Sequence, residues 1–394
     1  MKTQDYISLE NQYGAHNYHP LDVVIASAQG VWMTDVEGRR YLDCLSAYSA
    51  LNQGHCHPKI LQAFIEQASK VTITSRAFRN NQFPLLLEKL HQVTGYDMIL
   101  PMNSGAEAVE TALKAARKWG YTVKGIPKDK AEIICARNNF HGRTTTIVGF
   151  STDEQYKAGF GPFPGGFKIV EFGSIESLKA AITANTAAFL VEPIQGEAGV
   201  VIPPDGYLHD AAALCRQNNV LFMADEIQSG LGRSGKLFAF EHENIRPDVV
   251  IIGKALGGGF YPISAVLSNK EVLGVFQPGD HGSTFGGNPL AAAVAIASLD
   301  VIIDEKLIER SAELGKYFIE KIRSLRSPHF VEVRGRGLWI AIVLNQKARP
   351  FCEALMKKGL LCKETHENIV RLAPPLIITK EEIDWACERL KEVF

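Results

Sequence analysis

Two residues in this chain stand where an apolar strand gives out, and together they could act on one small molecule. Lys254 closes the run Pro247-Asp248-Val249-Val250-Ile251-Ile252-Gly253-Lys254 and opens onto glycines at 257, 258 and 259. An ammonium there is largely stripped of water, which favours the neutral amine and makes it a nucleophile toward aldehydes. Asp225 ends a second apolar run, Leu221-Phe222-Met223-Ala224. A lysine for a Schiff base and an acid for a ring nitrogen are the two anchors that pyridoxal 5′-phosphate needs. Plainer readings compete. A P-loop fails, because Asp248 stands where that motif needs glycine and Ala255 where it needs Ser or Thr. A surface lysine snorkelling from a strand end accounts for Lys254 in isolation equally well. The surroundings must decide.

Asn103-Ser104-Gly105-Ala106-Glu107 precedes a strongly helical run. Ser104 is a candidate N-cap, and the free amides behind it, with the helix dipole, make a phosphate site. An ordinary capping box between Ser104 and Glu107 explains the same letters, and both can hold at once. Phe140-His141-Gly142-Arg143 offers an aromatic face for a flat ring and a planar fork for a carboxylate; a core phenylalanine beside a solvated arginine is the bland alternative. Glu192-Pro193-Ile194-Gln195-Gly196-Glu197 begins where another buried strand ends, and its acids need partners if enclosed. His55-Cys56-His57 suggests metal, but alternation splays its imidazoles apart and no further Cys or His spacing completes a zinc set. No metal is expected.

These groups need buried strands that end together. Strands are predicted at Glu132–Ala136, Ala188–Val191, Leu221–Ala224, Val249–Ile252 and Ile263–Leu267, alternating with helices at Ala106–Trp119, Leu208–Gln217 and Pro289–Ile303. That alternation implies an α/β fold with a mostly parallel central sheet and helices on both faces. Ligands of such sheets bind at the carboxyl ends of the strands, where Glu192, Asp225 and Lys254 all fall. Ahead of the sheet, residues 1 to about 45 read as an irregular arm and a hairpin turning at Glu37-Gly38. Behind it, a helix at Leu307–Leu325 leads to strands at Phe330–Val333 and Leu338–Leu344, a helix near Phe351, a strand at Ile369–Leu372 and a closing helix from Lys380. The expected units are an arm and hairpin (1–50) packing with the small domain, a large cofactor-binding domain (51–304) and a smaller α+β C-terminal domain (305–394).

Composition excludes several classes. A formal net charge of −1 leaves no footprint for nucleic acid or an anionic membrane. No apolar run is long enough to span a bilayer. Seven cysteines without a Cys-x-x-Cys pair argue for reduced thiols, and the first residues lack a signal core. A cytoplasmic protein is expected.

The motifs Ser104-Gly105-Ala106-Glu107-Ala108, Phe140-His141-Gly142-Arg143-Thr144, Glu192 to Glu197, Asp225-Glu226-Ile227-Gln228, Gly253-Lys254-Ala255-Leu256 and Gly282-Ser283-Thr284-Phe285-Gly286-Gly287-Asn288-Pro289 occur in that order over most of the chain. In this the chain resembles the class III, PLP-dependent aminotransferases of fold type I. The resemblance implies that Lys254 is the catalytic residue that binds the cofactor covalently and that Asp225 holds its pyridine nitrogen. Gln228 would lie near the ring hydroxyl and Phe140 would stack on the ring. Ser104, Gly105 and Ala106 would cradle the phosphate. Ser283 and Thr284 would reach it from a neighbouring subunit, which implies a homodimer with shared active sites. Arg143 and Arg371 match the carboxylate-binding arginines, Glu197 the acid that pairs with the second of them, and Tyr18 and Tyr48 pocket tyrosines. His141 departs from some members of the family, which carry tryptophan there.

Overall fold

The computed structural model of the protein describes residues 1–394. Its first element is a helix, Thr3–Tyr13, where the sequence suggests an irregular arm. The Lys2 amide donates to Asp5 Oδ2 at 2.8 Å to start it, and none of its residues is buried. A helix without a buried face needs no apolar stripe, so hydrophobic periodicity misses it. Strands β1 (Ile25–Gln29), β2 (Trp32–Asp35) and β3 (Arg40–Asp43) then form an antiparallel meander. The β2–β3 turn falls at Glu37-Gly38 as expected, with Gly38 at φ +83° and Asp35 Oδ1 accepting from the amides of Glu37 and Arg39.

The central sheet has seven strands: β4 (Met98–Met102), β5 (Glu132–Ala136), β6 (Phe167–Val170), β7 (Thr186–Val191), β8 (Leu221–Asp225), β9 (Val249–Ile252) and β10 (Ser264–Ser268). Their spatial order is β4-β10-β9-β8-β7-β5-β6, and β5 to β9 pair in parallel. Two of these strands, β4 and β6, carry no clear strand pattern in the sequence. β4 carries Pro101, which argues against a strand unless it lies at an edge, and there it lies. β6 is the opposite edge and only partly buried. β10, the strand expected near Ile263–Leu267, is the exception in this mostly parallel sheet and runs antiparallel to both neighbours. Its link from β9 contains only a short 3₁₀ turn, too short for the crossover that a parallel strand requires.

Both faces of this sheet are covered, which is why its inner strands read as unbroken apolar runs. Leu221, Met223, Val249 and Ile251 point into one core with the helix Gly105–Thr122. Phe222, Ala224, Val250 and Ile252 point into another, with the helices Tyr207–Gln217 and Pro289–Asp304.

After the helix Leu307–Ser324 come β11 (Phe330–Arg336), β12 (Trp339–Leu344), β13 (Leu360–Leu361), β14 (Lys363–Thr365) and β15 (Ile369–Leu372). Four of these form an antiparallel sheet ordered β11-β12-β15-β14. The fifth, β13, instead pairs in parallel with β3, setting Leu360 against Leu42 and Leu361 against Asp43. The N-terminal meander is thereby completed by the C-terminal third of the chain. The helix Lys380–Val393 closes the fold, its first turn fixed by a capping box between Thr379 and Glu382.

Candidate active site

Parallel strands β5, β7, β8 and β9 end on one side of the sheet, and a cavity of about 200 Å³ opens beyond them. Six of the expected residues line it: Gly105, Ala106, Phe140, Asp225, Gln228 and Lys254. Lys254 follows β9 with φ at +45°, a left-handed conformation that a non-glycine residue rarely adopts. Burial drives its amine down to about 8; Glu197 opposes that shift and Arg371 reinforces it. Asp225, the last residue of β8, is buried and accepts from the Ile227 amide at 3.1 Å.

The second partner of Asp225 was not foreseen. His141 Nδ1 donates to Asp225 Oδ2 at 2.7 Å, and the histidine is itself buried. Burial would lower the imidazole's pKa, but the bond to Asp225 and its charge prevail and raise it. Glu192 is likewise enclosed rather than solvated. Its carboxylate accepts from the Phe140 amide at 3.0 Å and the Gly196 amide at 3.3 Å, joining the loops after β5 and β7. Burial pushes it up to about 7. Gly142, at φ +130°, lets the same loop pass Ala106; a Cβ there would stand 3.0 Å from Ala106 Cβ.

The helix Gly105–Thr122 begins with a capping box: Ser104 Oγ accepts from the Glu107 amide and Glu107 Oε2 from the Ser104 amide. Gly105 and Ala106 are first-turn residues whose N–H groups have no intrahelical acceptor, and both face the cavity. Ser104 opens instead on an adjoining crevice of about 310 Å³, lined also by Ala50, Lys254 and Phe260. Ser283 Oγ accepts from Asn103 Nδ2 at 2.8 Å in the same chain, and Thr284 is exposed. Neither lines the main cavity.

Of the remaining expected residues, Glu197, Arg371 and Tyr48 form a chain of contacts leading away from it. Gln228 Nε2 donates to Glu197 Oε1 at 2.9 Å, and Arg371 Nη1 donates to the same oxygen at 3.0 Å. Burial would raise the Glu197 carboxyl, but Arg371 and Lys254 hold it low. The Arg371 guanidinium, from β15, lies 4.9 Å from the Tyr48 ring centre. Arg143 is exposed beside Phe140, stacked 3.7 Å over Tyr156, an aromatic that sequence reasoning did not single out. Tyr18 stands 75% exposed.

The cavity fits a flat, hydroxylated, anionic heteroaromatic. Gln228 Oε1 is buried without a partner, an acceptor ready for a ring hydroxyl, and His141 Nε2 is also buried without a partner. Helix amides wait at one end, a buried carboxylate stands at the pocket wall, and a lysine of lowered pKa borders both openings.

The class-III aminotransferase family model matches residues 13–394. The ornithine aminotransferase of Geobacillus sp. (strain WCH70) is 64% identical over 393 residues, spanning 100% of this chain and 99% of that protein. A structure of the Toxoplasma gondii ornithine aminotransferase, crystallized in the presence of oxidized glutathione with partial occupancy of PLP at the active site, is 43% identical. It aligns at a TM-score of 0.99 over 100% of this chain and 94% of that one. The acetylornithine aminotransferase from Elizabethkingia anophelis is 48% identical, with a TM-score of 0.92 over 100% and 99% of the two chains.

Proposed function

The chain belongs to the class III aminotransferases, and on that premise we propose that it moves the δ-amino group of L-ornithine to 2-oxoglutarate with pyridoxal 5′-phosphate as cofactor. The products are glutamate 5-semialdehyde, which cyclises spontaneously, and glutamate. One observation carries the choice of substrates: Glu197 Oε1 is shared between Arg371 and Gln228. Such an enzyme must present ornithine by its terminal amine yet glutamate by its α-amine. Two arginines serve 2-oxoglutarate, Arg143 on the distal carboxylate and Arg371 on the one beside the reacting carbon. Ornithine has a single carboxylate, and a bare Arg371 would draw it in with the wrong amine forward. Glu197 masks Arg371 against that error and yields when a dicarboxylate arrives.

Bound pyridoxal phosphate supplies the exchangeable carbonyl and the sink for carbanion electrons. Lys254, neutral in a good fraction near pH 8, supplies the amine that holds it and then the base that moves a proton at the substrate carbon. Asp225, oriented by His141, keeps a pyridine nitrogen protonated. Phe140 would stack on the ring, Gln228 would receive its hydroxyl, and Ser104, Gly105 and Ala106 would hold the phosphate. We place Ser283 and Thr284 at the phosphate of a second subunit, in a homodimer with shared sites. The crevice beside Ser104 and Lys254 gives such a partner room.

Three stretches favour ornithine: Tyr13 to Leu21, Ser46 to Pro58, and Ile369 to Pro375, all resembling ornithine δ-aminotransferases. Tyr18 within the first offers a hydroxyl to a free α-amino group, which N-acetylornithine blocks and 4-aminobutyrate lacks. A decarboxylase or aminomutase would share Lys254 and Asp225, but two carboxylate-binding arginines favour a 2-oxo-acid acceptor. We assign residues 1–50 to an arm, 51–304 to a cofactor domain and 305–394 to a small domain carrying Arg371. The proposed setting is cytoplasmic proline and arginine metabolism; no helix is long and apolar enough to cross a membrane. The deciding measurement is the visible spectrum of the purified holoenzyme with each donor added separately. Ornithine should bleach the cofactor band, and N-acetylornithine or 4-aminobutyrate doing so in its place would overturn the assignment.

A further inference from the structure

Residues Ser46, Ala47, Tyr48 and Ser49 all have positive φ, at 50°, 46°, 61° and 71°. A run of four left-handed residues without a glycine is costly, because each Cβ crowds the following carbonyl. Such strain persists only where the surroundings over-determine it. Here it sits on the tyrosine that touches Arg371. The turn's own side chains do little to hold it: the hydroxyls of Ser46 and Ser49 are buried and have no partner. Its restraint comes from Asp43, the fully buried last residue of β3. Asp43 Oδ1 accepts from the amides of Leu45 at 2.8 Å and Ser46 at 2.9 Å. Its other oxygen accepts from His55 Nε2 at 2.8 Å.

We propose that Asp43 and His55 are positioning residues for substrate choice, holding the left-handed turn that sets the Tyr48 ring across Arg371. The inference rests on the ornithine reading above and adds residues to it. His55 fixes the carboxylate, the carboxylate fixes the entry to the turn, and the turn fixes the ring. Tyr48 then covers one side of the guanidinium while Glu197 neutralises it. A donor with one carboxylate needs that cover. Glutamate, whose second carboxylate displaces Glu197, needs it less.

The test compares His55→Leu with His55→Gln, since the Gln amide can donate where the imidazole does. Both variants should bind PLP with the native visible spectrum. In single-turnover kinetics His55→Leu should lower the ratio of the ornithine to the glutamate half-reaction by about tenfold, the size of one lost charge-assisted hydrogen bond, and His55→Gln should restore it. Ala47 has an exposed side chain, so Ala47→Val adds backbone strain without a clash and should shift the ratio the same way. Ala47→Gly, which suits positive φ, should raise the thermal midpoint. Equal loss in both half-reactions, an unmoved ratio, or a lower midpoint in Ala47→Gly would overturn the inference. A wild-type protein that ignores ornithine would overturn the functional reading instead.

Discussion

Lys254 gathers three unusual conditions in one residue: a left-handed backbone, an amine whose pKa burial lowers, and Glu197 and Arg371 as competing charges. Its pKa of about 8 predicts how the cofactor-free protein captures PLP. The neutral amine is the reactive form, so the capture rate should climb with pH through about 8 and then level off. Stopped-flow absorbance would follow it, and a midpoint near that of a free lysine would show that burial does not act on the amine. His141 makes a second residue-scale case. His141→Leu leaves Asp225 with only the Ile227 amide and removes a charge-assisted bond worth about 1.5–3 kcal/mol. Turnover should fall roughly tenfold to a hundredfold, with PLP still attached to Lys254 on peptide mapping after borohydride reduction. Near-normal turnover would reduce His141 to a packing residue.

At the scale of elements, the site is a meeting of loops, and the Glu197 contact is where the loop after β7 meets β15. Glu197→Ala should speed the glutamate half-reaction relative to ornithine and admit some attack through ornithine's α-amine. Single-turnover rates with each donor measure this, and an unchanged ratio would leave Glu197 as a structural partner of Arg371. The strand ends that carry Asp225 and Lys254 were legible because inner parallel strands are buried on both faces and read as unbroken apolar runs. The helix after Ser104 was legible from its cap. Other parts left no local trace. His141 and Asp225 are 84 residues apart, and nothing in either segment announces the other. Tyr156 beneath Arg143 is one tyrosine among eleven. The turn at Ser46–Ser49 uses residues with no left-handed preference, so only tertiary restraint reveals it. β10 reversed direction because its connection, not its composition, decides the pairing.

Across the whole molecule, groups enclosed around the site set how stability depends on pH. Burial raises Glu192 and Glu226 from 4.5 to about 7, and His141 is also raised. In each case the folded protein holds a proton that the unfolded chain has released. Stability therefore falls as pH rises, from about 4.5 to 7 for the two acids and from 6.5 to the higher folded value for His141. One pKa unit corresponds to about 1.4 kcal/mol, so each glutamate accounts for roughly 3.5 kcal/mol at most. Glu197 has the opposite sign: its lowered pKa gives stability present above 4.5 and lost on acidification below it. Lys254 and Arg233, lowered to about 8 and about 9, shift the balance only at and above those values. His242 and His281, lowered by burial, oppose this up to about 6.5; the three raised groups are more deeply enclosed, and the cofactor-free protein should weaken from pH 5 toward pH 7.5. Glu226 does not itself line the cavity, although Ser229, which donates to it, does; its other oxygen accepts from the Phe240 amide, so the near-isosteric Glu226→Gln should remove its share of the slope. Urea midpoints across that range measure both curves. A wild-type midpoint that rises from pH 5 to 7.5, or a Glu226→Gln slope equal to the wild type's, would mean these carboxyls are ionised in the folded protein.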